Sequence, residues 1–181
     1  MVSVPAQYHL SAADEKAQYD QHQNTLEDDG YRKFLSRTLE PLFARIASGS
    51  LGLDFGCGPG PVISEMSKAR GIAVSNYDLY YFNRPELLNK QYNFVTMTEV
   101  IEHIANPESL LIQLDSMLKQ AGILAIMTKR VIDQQAFSKW HYKNDPTHIC
   151  FYSLKTFEWI GRALNWRLEV IDKDVVFFYK K

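Results

Sequence analysis

The residues most able to do chemistry begin at Leu53-Asp54-Phe55-Gly56-Cys57-Gly58-Pro59-Gly60, an apolar run that turns into a G-x-G-x-G loop. Glycine has no Cβ, so the main chain of such a loop can approach a ligand closely. In an open α/β sheet, a loop of this kind lies beyond the carboxyl end of its strand, where ligands bind. Asp78 closes the next apolar run. A carboxylate there can accept from both hydroxyls of a ribose, at ~1.5–3 kcal/mol for each charge-assisted bond. Alone, the glycines read equally well as a tight strand-to-helix turn, and Asp78 as a turn residue. Together they are far more specific. The dinucleotide fingerprint wants glycine or alanine where Pro61 stands, and an apolar residue where Asp54 stands. Both departures argue against a nicotinamide-dependent oxidoreductase.

A second dense group is Trp140-His141-Tyr142-Lys143-Asn144-Asp145-Pro146-Thr147-His148-Ile149-Cys150. Three readings are open. His148 can act as general base on a substrate hydroxyl, with Asp145 fixing its tautomer. His141, Asp145 and His148 can form a metal triad of two histidines and a carboxylate. The third reading is a structural loop in which Asp145 and His148 cap backbone groups. His103 can reach the substrate side or simply pack. Cys57 reads as a small packing residue, because no histidine is paired with it in sequence. Tyr8, Tyr19, His22 and Tyr31 form either a lid over the site or part of a solvated arm.

These groups must be held by regular elements. Residues 1–30 are polar and weakly periodic, and from Tyr31 the apolar residues recur at helical spacing to Ile46. Pro41 should kink or split that helix. Leu51–Phe55, Ile72–Tyr77, Phe94–Met97 and Ile123–Met127 read as buried strands. Helices are expected over Pro61–Arg70 with Gly71 behind it, after the Asn106-Pro107 cap pair until Gly122, and after Ser153. Residues from Lys129 to about Tyr152 read as irregular. Arg167–Ile171 and Val175–Tyr179 read as strands joined in a hairpin by Asp172-Lys173-Asp174. Strands alternating with helices imply an α/β doubly wound, mostly parallel sheet with a C-terminal antiparallel hairpin strand. Residues 1–181 are read as one domain, with 1–48 a helical arm and lid and 49–181 the sheet core.

Composition bounds the partners. The chain has 181 residues, 46% hydrophobic and 23% charged, with net charge −1. One domain of this size buries a substantial core without metals or disulfides. Near-neutral charge argues against nucleic acid and anionic membranes as general partners. Cys57 and Cys150 are the only cysteines and sit in no CxxC pair. No apolar run reaches the ~20 residues of a bilayer span, and the N-terminus lacks a signal-peptide pattern. A reduced, cytoplasmic protein is expected.

With those motifs in place, residues 50–170 resemble a class I S-adenosylmethionine-dependent methyltransferase of Rossmann-like fold. Asp54-Phe55-Gly56-Cys57-Gly58-Pro59-Gly60 resembles that family's first motif, whose backbone packs on the cofactor. Asp78 matches its ribose-binding acid, and Leu79 an apolar residue touching adenine. Phe94-Val95-Thr96-Met97-Thr98-Glu99-Val100-Ile101-Glu102-His103-Ile104 is similar to the segment after the family's fourth strand. It is closest to the branch containing ubiquinone-biosynthesis O-methyltransferases. The resemblance implies S-adenosylmethionine as cofactor, with the backbone near Met97, Thr98 and Glu99 facing its methionine part. No metal cofactor is implied.

The sequence also departs from the family. Only Leu79–Asn93 separates the second strand from the Phe94 strand, where most members insert a helix, a strand and an acid-bearing loop. Average elements take ~11 and ~5 residues before any loops, so the third strand should be missing or vestigial. Adenine would then be read by backbone groups, by a residue such as Asn83, or by water. The expected activity is in-line methyl transfer to a small-molecule acceptor. The alternative is an S-adenosylmethionine-binding partner or activator protein without its own turnover, suggested by the lack of an insertion to build a substrate pocket. The number of subunits is left open, and a homodimer is one way to supply a substrate wall.

Overall fold

The computed structural model describes residues 1–21 and 24–181; His22, named above for the lid, lies outside them. The chain runs through β1 (Val2–Ser3), α1 (Ala12–Tyr19), α2 (Asp29–Phe43), β2 (Leu51–Phe55), α3 (Val62–Lys68) and β3 (Ala73–Tyr77). It continues through β4 (Tyr92–Thr98), α4 (Pro107–Met117), β5 (Leu118–Met127), α5 (Gln134–Ser138) and β6 (Cys150–Phe151). It closes with α6 (Leu154–Ala163), β7 (Arg167–Val170) and β8 (Val175–Tyr179). The main sheet has the order β3-β2-β4-β5-β8-β7. β3, β2, β4 and β5 pair in parallel, while β8 runs antiparallel to both β5 and β7.

Alternation along the central strands divides the core in two. Val95 and Met97 of β4, Leu124 and Ile126 of β5, and Val176 and Phe178 of β8 face α4 and α6. Phe94, Ile123, Ala125, Met127, Val175 and Phe177 face the other way, onto Leu35, Leu39 and Leu42 of α2 and Val62 and Ile63 of α3. A strand buried on both faces needs an unbroken apolar run, which is why Ile123–Met127 has no polar residue. Each fully buried Leu or Phe contributes ~1.5–3 kcal/mol by leaving water.

Helix starts follow the sequence signals. Asn106 accepts from the Ser109 amide ahead of Pro107, and Ser153 forms a reciprocal capping box with Thr156. Three details differ from expectation. Pro41 does not split α2, because it sits in the last turn, where few helical bonds follow. α3 ends at Lys68, and Gly71, at φ 70°, closes the turn behind it. Gly122 does not end α4; the helix stops at Met117 and β5 starts at once, with Ala121 at φ 59° and a register shift opposite Tyr92–Phe94.

The gap after β3 is short, as expected. Asp78 and Phe82 form an isolated bridge, a 3₁₀ turn spans Pro85–Asn89, and the chain re-enters at β4. Among the described residues, no strand lies outside β3. The Lys129–Tyr152 stretch is more ordered than expected. It holds α5, a 3₁₀ turn at His141–Asn144, and β6, which pairs antiparallel with β1. Among the described residues, no helix is long and apolar enough to cross a membrane.

Candidate active site

A cleft of about 540 Å³ opens at the carboxyl ends of β2, β3 and β4. Its floor at one end is the glycine loop. Gly56 and Gly58 take φ 77° and 65°, conformations that side chains resist. The Gly56 amide donates to the Tyr77 carbonyl at 2.8 Å, tying the loop to the end of β3. A Cβ on Gly56 would collide with Val100, whereas a Cβ on Gly58 would meet nothing within 4 Å. Gly58 therefore leaves space beside its backbone.

Asp78 stands across that space. One carboxylate oxygen accepts from the Gly58 amide at 3.0 Å, and the other from the amides of Tyr80 and Tyr81 at 2.8 and 3.1 Å. Three main-chain donors thus fix its direction; Oδ1 is filled by two of them, and Oδ2 keeps one lone pair for a ligand. Leu79 lines the cleft and is 60% exposed, an apolar surface open to a ligand.

Of the residues expected at the cofactor, Gly56, Cys57, Gly58, Asp78, Leu79, Thr98 and Glu99 line the cleft. Asp54 and Met97 do not. Met97 turns its side chain into the core between sheet and helices, because β4 alternates and Thr98 takes the cleft side. Asp54 lies behind the loop, buried, and accepts from the Thr96 hydroxyl at 2.8 Å. Burial, with a smaller contribution from Asp78, pushes its carboxyl up to about 7. The Cys57 thiol is held above its ordinary value by burial and by Asp54 and Asp78, the reverse of an activated nucleophile.

The other end of the cleft is built from side chains. His148 Nδ1 lies 2.7 Å from the Tyr142 carbonyl, and His103 Nδ1 lies 3.0 Å from the Thr147 carbonyl. A carbonyl only accepts, so each Nδ1 carries the proton, and in the neutral ring Nε2 holds the lone pair. Burial lowers the His148 pKa, which favours that neutral ring. The two rings meet edge-on at 4.8 Å. Asp145 was expected to fix the tautomer of His148. Instead its Oδ1 caps the Thr147 amide and hydroxyl, and its Oδ2 lies 3.8 Å from Nε2, the lone-pair side. The Tyr142 carbonyl sets the tautomer. Burial opposes ionisation of Asp145, but the Thr147 donors and the two histidines hold its carboxyl below the usual range.

His141 is exposed and far from the role of a ligand beside Asp145 and His148. The structure gathers a different trio. One ligand atom each from Glu102, His103 and His148 lie within 4.8 Å of one another. Beside them, the Tyr142 hydroxyl contacts both Glu99 and Glu102. One hydroxyl proton serves one carboxylate at a time, and burial raises the proton affinity of both glutamates. Glu99 takes φ 52°, a left-handed turn that aims it back at Tyr142. Sequence reasoning missed Glu102 and Tyr142; the Glu-Val-Ile-Glu-His spacing was the available signal.

The N-terminal arm covers one side. The Tyr80 hydroxyl donates to Glu15, and the Tyr81 hydroxyl donates to Asp20 at 2.7 Å. Tyr19 packs edge-on against His103 at 5.4 Å and lines the cleft with Tyr31, whereas Tyr8 is exposed.

A family model described as a methyltransferase domain matches residues 27–170. The chain belongs to that family. No curated protein matches the sequence. Among solved structures, a SAM-dependent methyltransferase from Archaeoglobus fulgidus is 21% identical with TM-score 0.58, covering 78% of this chain and 76% of that one. Phosphoethanolamine N-methyltransferase 2 from Haemonchus contortus, in complex with S-adenosyl-L-methionine, is 18% identical with TM-score 0.57. It covers 77% of this methyltransferase-family chain and 38% of its own. A chain from the complex of a Haloferax volcanii methyltransferase with its Trm112 activator is 13% identical with TM-score 0.57, covering 88% of this chain and 78% of that one. At these identities the likeness is one of fold.

Proposed function

We propose that the protein binds S-adenosylmethionine on the Gly56–Gly58 loop and transfers its methyl group to a small-molecule acceptor held near His148. The observation that carries this reading is the pairing of two sites in one cleft. The open space at Gly58 faces Asp78 at one end, and the histidine cluster stands at the other. Asp78 accepts from a ribose hydroxyl through the lone pair that Oδ2 keeps. Leu79 receives the adenine face, in place of the missing outer strand and its loop. Thr98 and Glu99 stand beside the methionine part.

The cofactor supplies an already electrophilic methyl group. The chain's task is to align a nucleophile with it and exclude water, which can contribute ~7–11 kcal/mol. Tyr19, Tyr31 and Phe34 close the cleft from the arm side. Residues 1–48 thus serve as the lid of a single domain. An oxygen or nitrogen nucleophile must lose its proton, and His148 is the residue that sets its protonation. This chain builds both walls of the cleft itself, which supports an enzyme over a binding partner without turnover. The Glu99–His103 segment supports placement near the ubiquinone-biosynthesis O-methyltransferase branch. A cytoplasmic location fits the two free, buried cysteines.

Calorimetry with S-adenosylhomocysteine tests the first half: saturable binding is expected, weakened in Asp78→Ala, and no heat at millimolar ligand sinks the reading. Incubation of a metabolite extract with methyl-labelled cofactor tests the second; label should appear in an extractable small molecule.

A further inference from the structure

We propose that the acceptor is a cationic amine, held by its ammonium group at the His148 end of the cleft and methylated on that nitrogen. The charge of the walls comes first. Glu15, Asp78, Glu99 and Asp145 line the cleft, and among the described residues no lysine or arginine does. Lys129 acts on Glu99 from outside the lining, with its Nζ over the Tyr142 ring at 5.1 Å. A cleft lined by one sign of charge gathers the opposite sign from solution. S-adenosylmethionine carries one net positive charge. Beyond Asp78 it meets Glu15, Glu99 and Asp145; burial favours the protonated form of Glu99, whereas Asp145 is held in its charged form. These walls suit a second cation and repel a carboxylate or phosphate.

The hydrogen-bonding inventory agrees, because the atoms left to a ligand are acceptors. Glu102 is fully buried, and its Oε2 has no hydrogen-bond partner among the described residues. One of its oxygens lies within 4.8 Å of a ring nitrogen on each of His103 and His148, which line the cleft. His148 Nε2 holds a lone pair, since Nδ1 donates to the Tyr142 carbonyl. Asp145 Oδ2 lies 3.8 Å from that nitrogen and outside the Thr147 cap. A buried acceptor left unmatched is costly. An ammonium offers three donors and no acceptor, whereas a carboxylate offers only acceptors. The third observation is aromatic. The Tyr19 ring lies 5.9 Å from Tyr80 and edge-on to His103 at 5.4 Å, and its hydroxyl donates to Glu15 at 2.9 Å. Burial, Glu15 and Asp145 all raise its phenol pKa, so both acids stand near one ring. Aromatic faces attract cations, and rings combined with carboxylates separate an ammonium from a neutral compound of the same shape.

The choice of nitrogen as the methylated atom rests on the methyltransferase reading, whereas capture of the cation does not. An ammonium has no lone pair. His148 Nε2 takes one of its protons, and the imidazolium so formed stands beside Asp145 Oδ2. The freed nitrogen pair forms a bond to the methyl carbon as the carbon–sulfur bond breaks and its electron pair returns to sulfur. The product leaves as a methylammonium, and the proton on His148 passes to water at the cleft mouth.

The test titrates full-length protein calorimetrically with phenethylamine and putrescine, and with phenethyl alcohol and phenylacetate as neutral and anionic counterparts. Saturable binding of an amine is expected, with phenethylamine at least about tenfold tighter than phenethyl alcohol. Phenylacetate should bind more weakly still. Glu15→Gln and Asp145→Asn should each cut the advantage of the amine about 3–10-fold, as loss of a part-exposed charge does, and leave the alcohol nearly unchanged. Arg37→Ala should alter none of these. No saturable binding by either amine, or an alcohol or carboxylate bound as tightly as phenethylamine, overturns the proposal. A second readout uses ¹³C-methyl cofactor and a metabolite extract. The labelled product should be retained by a cation exchanger and show an N-methyl signal; an O-methyl signal overturns the choice of nitrogen. S-adenosylhomocysteine titrations on the same samples separate the two readings. Cofactor bound without amine preference rejects the amine alone, and amine preference without cofactor binding rejects the cofactor reading alone.

Discussion

The two ends of the cleft are built from different materials. At the Gly58 end, the contacts come from main chain: glycines at positive φ, amide donors, and one carboxylate held by three of them. At the His148 end, they come from side chains of two separate segments, Glu99–His103 and Tyr142–His148, each oriented by a neighbouring carbonyl or hydroxyl. Main chain suits a ligand that never changes, because a loop's amides cannot be retuned by single substitutions. Side chains suit a ligand that differs between relatives, because each can be replaced with the sheet left intact.

If that division holds, variants at one end should spare the other. The largest expected effect on cofactor affinity is at Asp78. Asp78→Ala removes a charge-assisted ribose bond, ~1.5–3 kcal/mol, so S-adenosylhomocysteine affinity should fall ~10–10²-fold. Calorimetry reads this directly. Next is His148→Gln, which should lower the methyl-transfer rate constant by ~10²–10⁴ while leaving cofactor affinity within about twofold. A parallel loss of cofactor affinity would erase the distinction between the ends.

Asp54 tests the main-chain end from behind. Its carboxyl sits near 7 in the fold against an ordinary 3.8. The folded state therefore binds the proton more tightly than the unfolded chain does. Stability from this group is full below about pH 4 and is lost as pH rises to about 7. Asp54→Asn should flatten that part of the stability–pH curve and raise stability at pH 8 by about 1–3 kcal/mol, seen by urea unfolding across pH. The smallest effect should come from Arg37, which forks onto Asp172 and Asp174 at 3.0 and 2.7 Å, away from both ends. Arg37→Ala should cost under ~1 kcal/mol, because a part-exposed ion pair is screened, and should alter neither ligand's binding.

The main-chain end was legible in the sequence because its signals are local. Glycines two apart and an acid at the end of the next strand report their own geometry, and the short Leu79–Asn93 gap reported the missing outer strand. The side-chain end was legible only in part. His148 and Asp145 drew notice, but Glu102, 46 positions upstream of His148, is brought beside it where the Ile149 amide donates to the Glu102 carbonyl at 2.8 Å. Nothing in local spacing announces such a contact. Met97 was expected to face the cofactor through its backbone; its side chain lies in the core, because neighbours in a strand face opposite sides and Thr98 takes the cleft side. Gly122 misled because a helix can pass directly into a strand when a residue such as Ala121 accepts positive φ.

The position of β8 between β5 and β7 has a consequence for how the chain reaches this state. Until β8 docks, Ile123–Met127 presents an apolar, unpaired edge, and every one of those five residues ends fully or almost fully buried. The β7–β8 hairpin is local and can form early, but its insertion joins residues 48 to 56 apart in sequence. Edges of that kind recruit other chains as readily as their own. During refolding, the competition between hairpin docking and self-association should therefore be decided by protein concentration, with the half-built sheet, not the cleft, as the aggregation-prone surface.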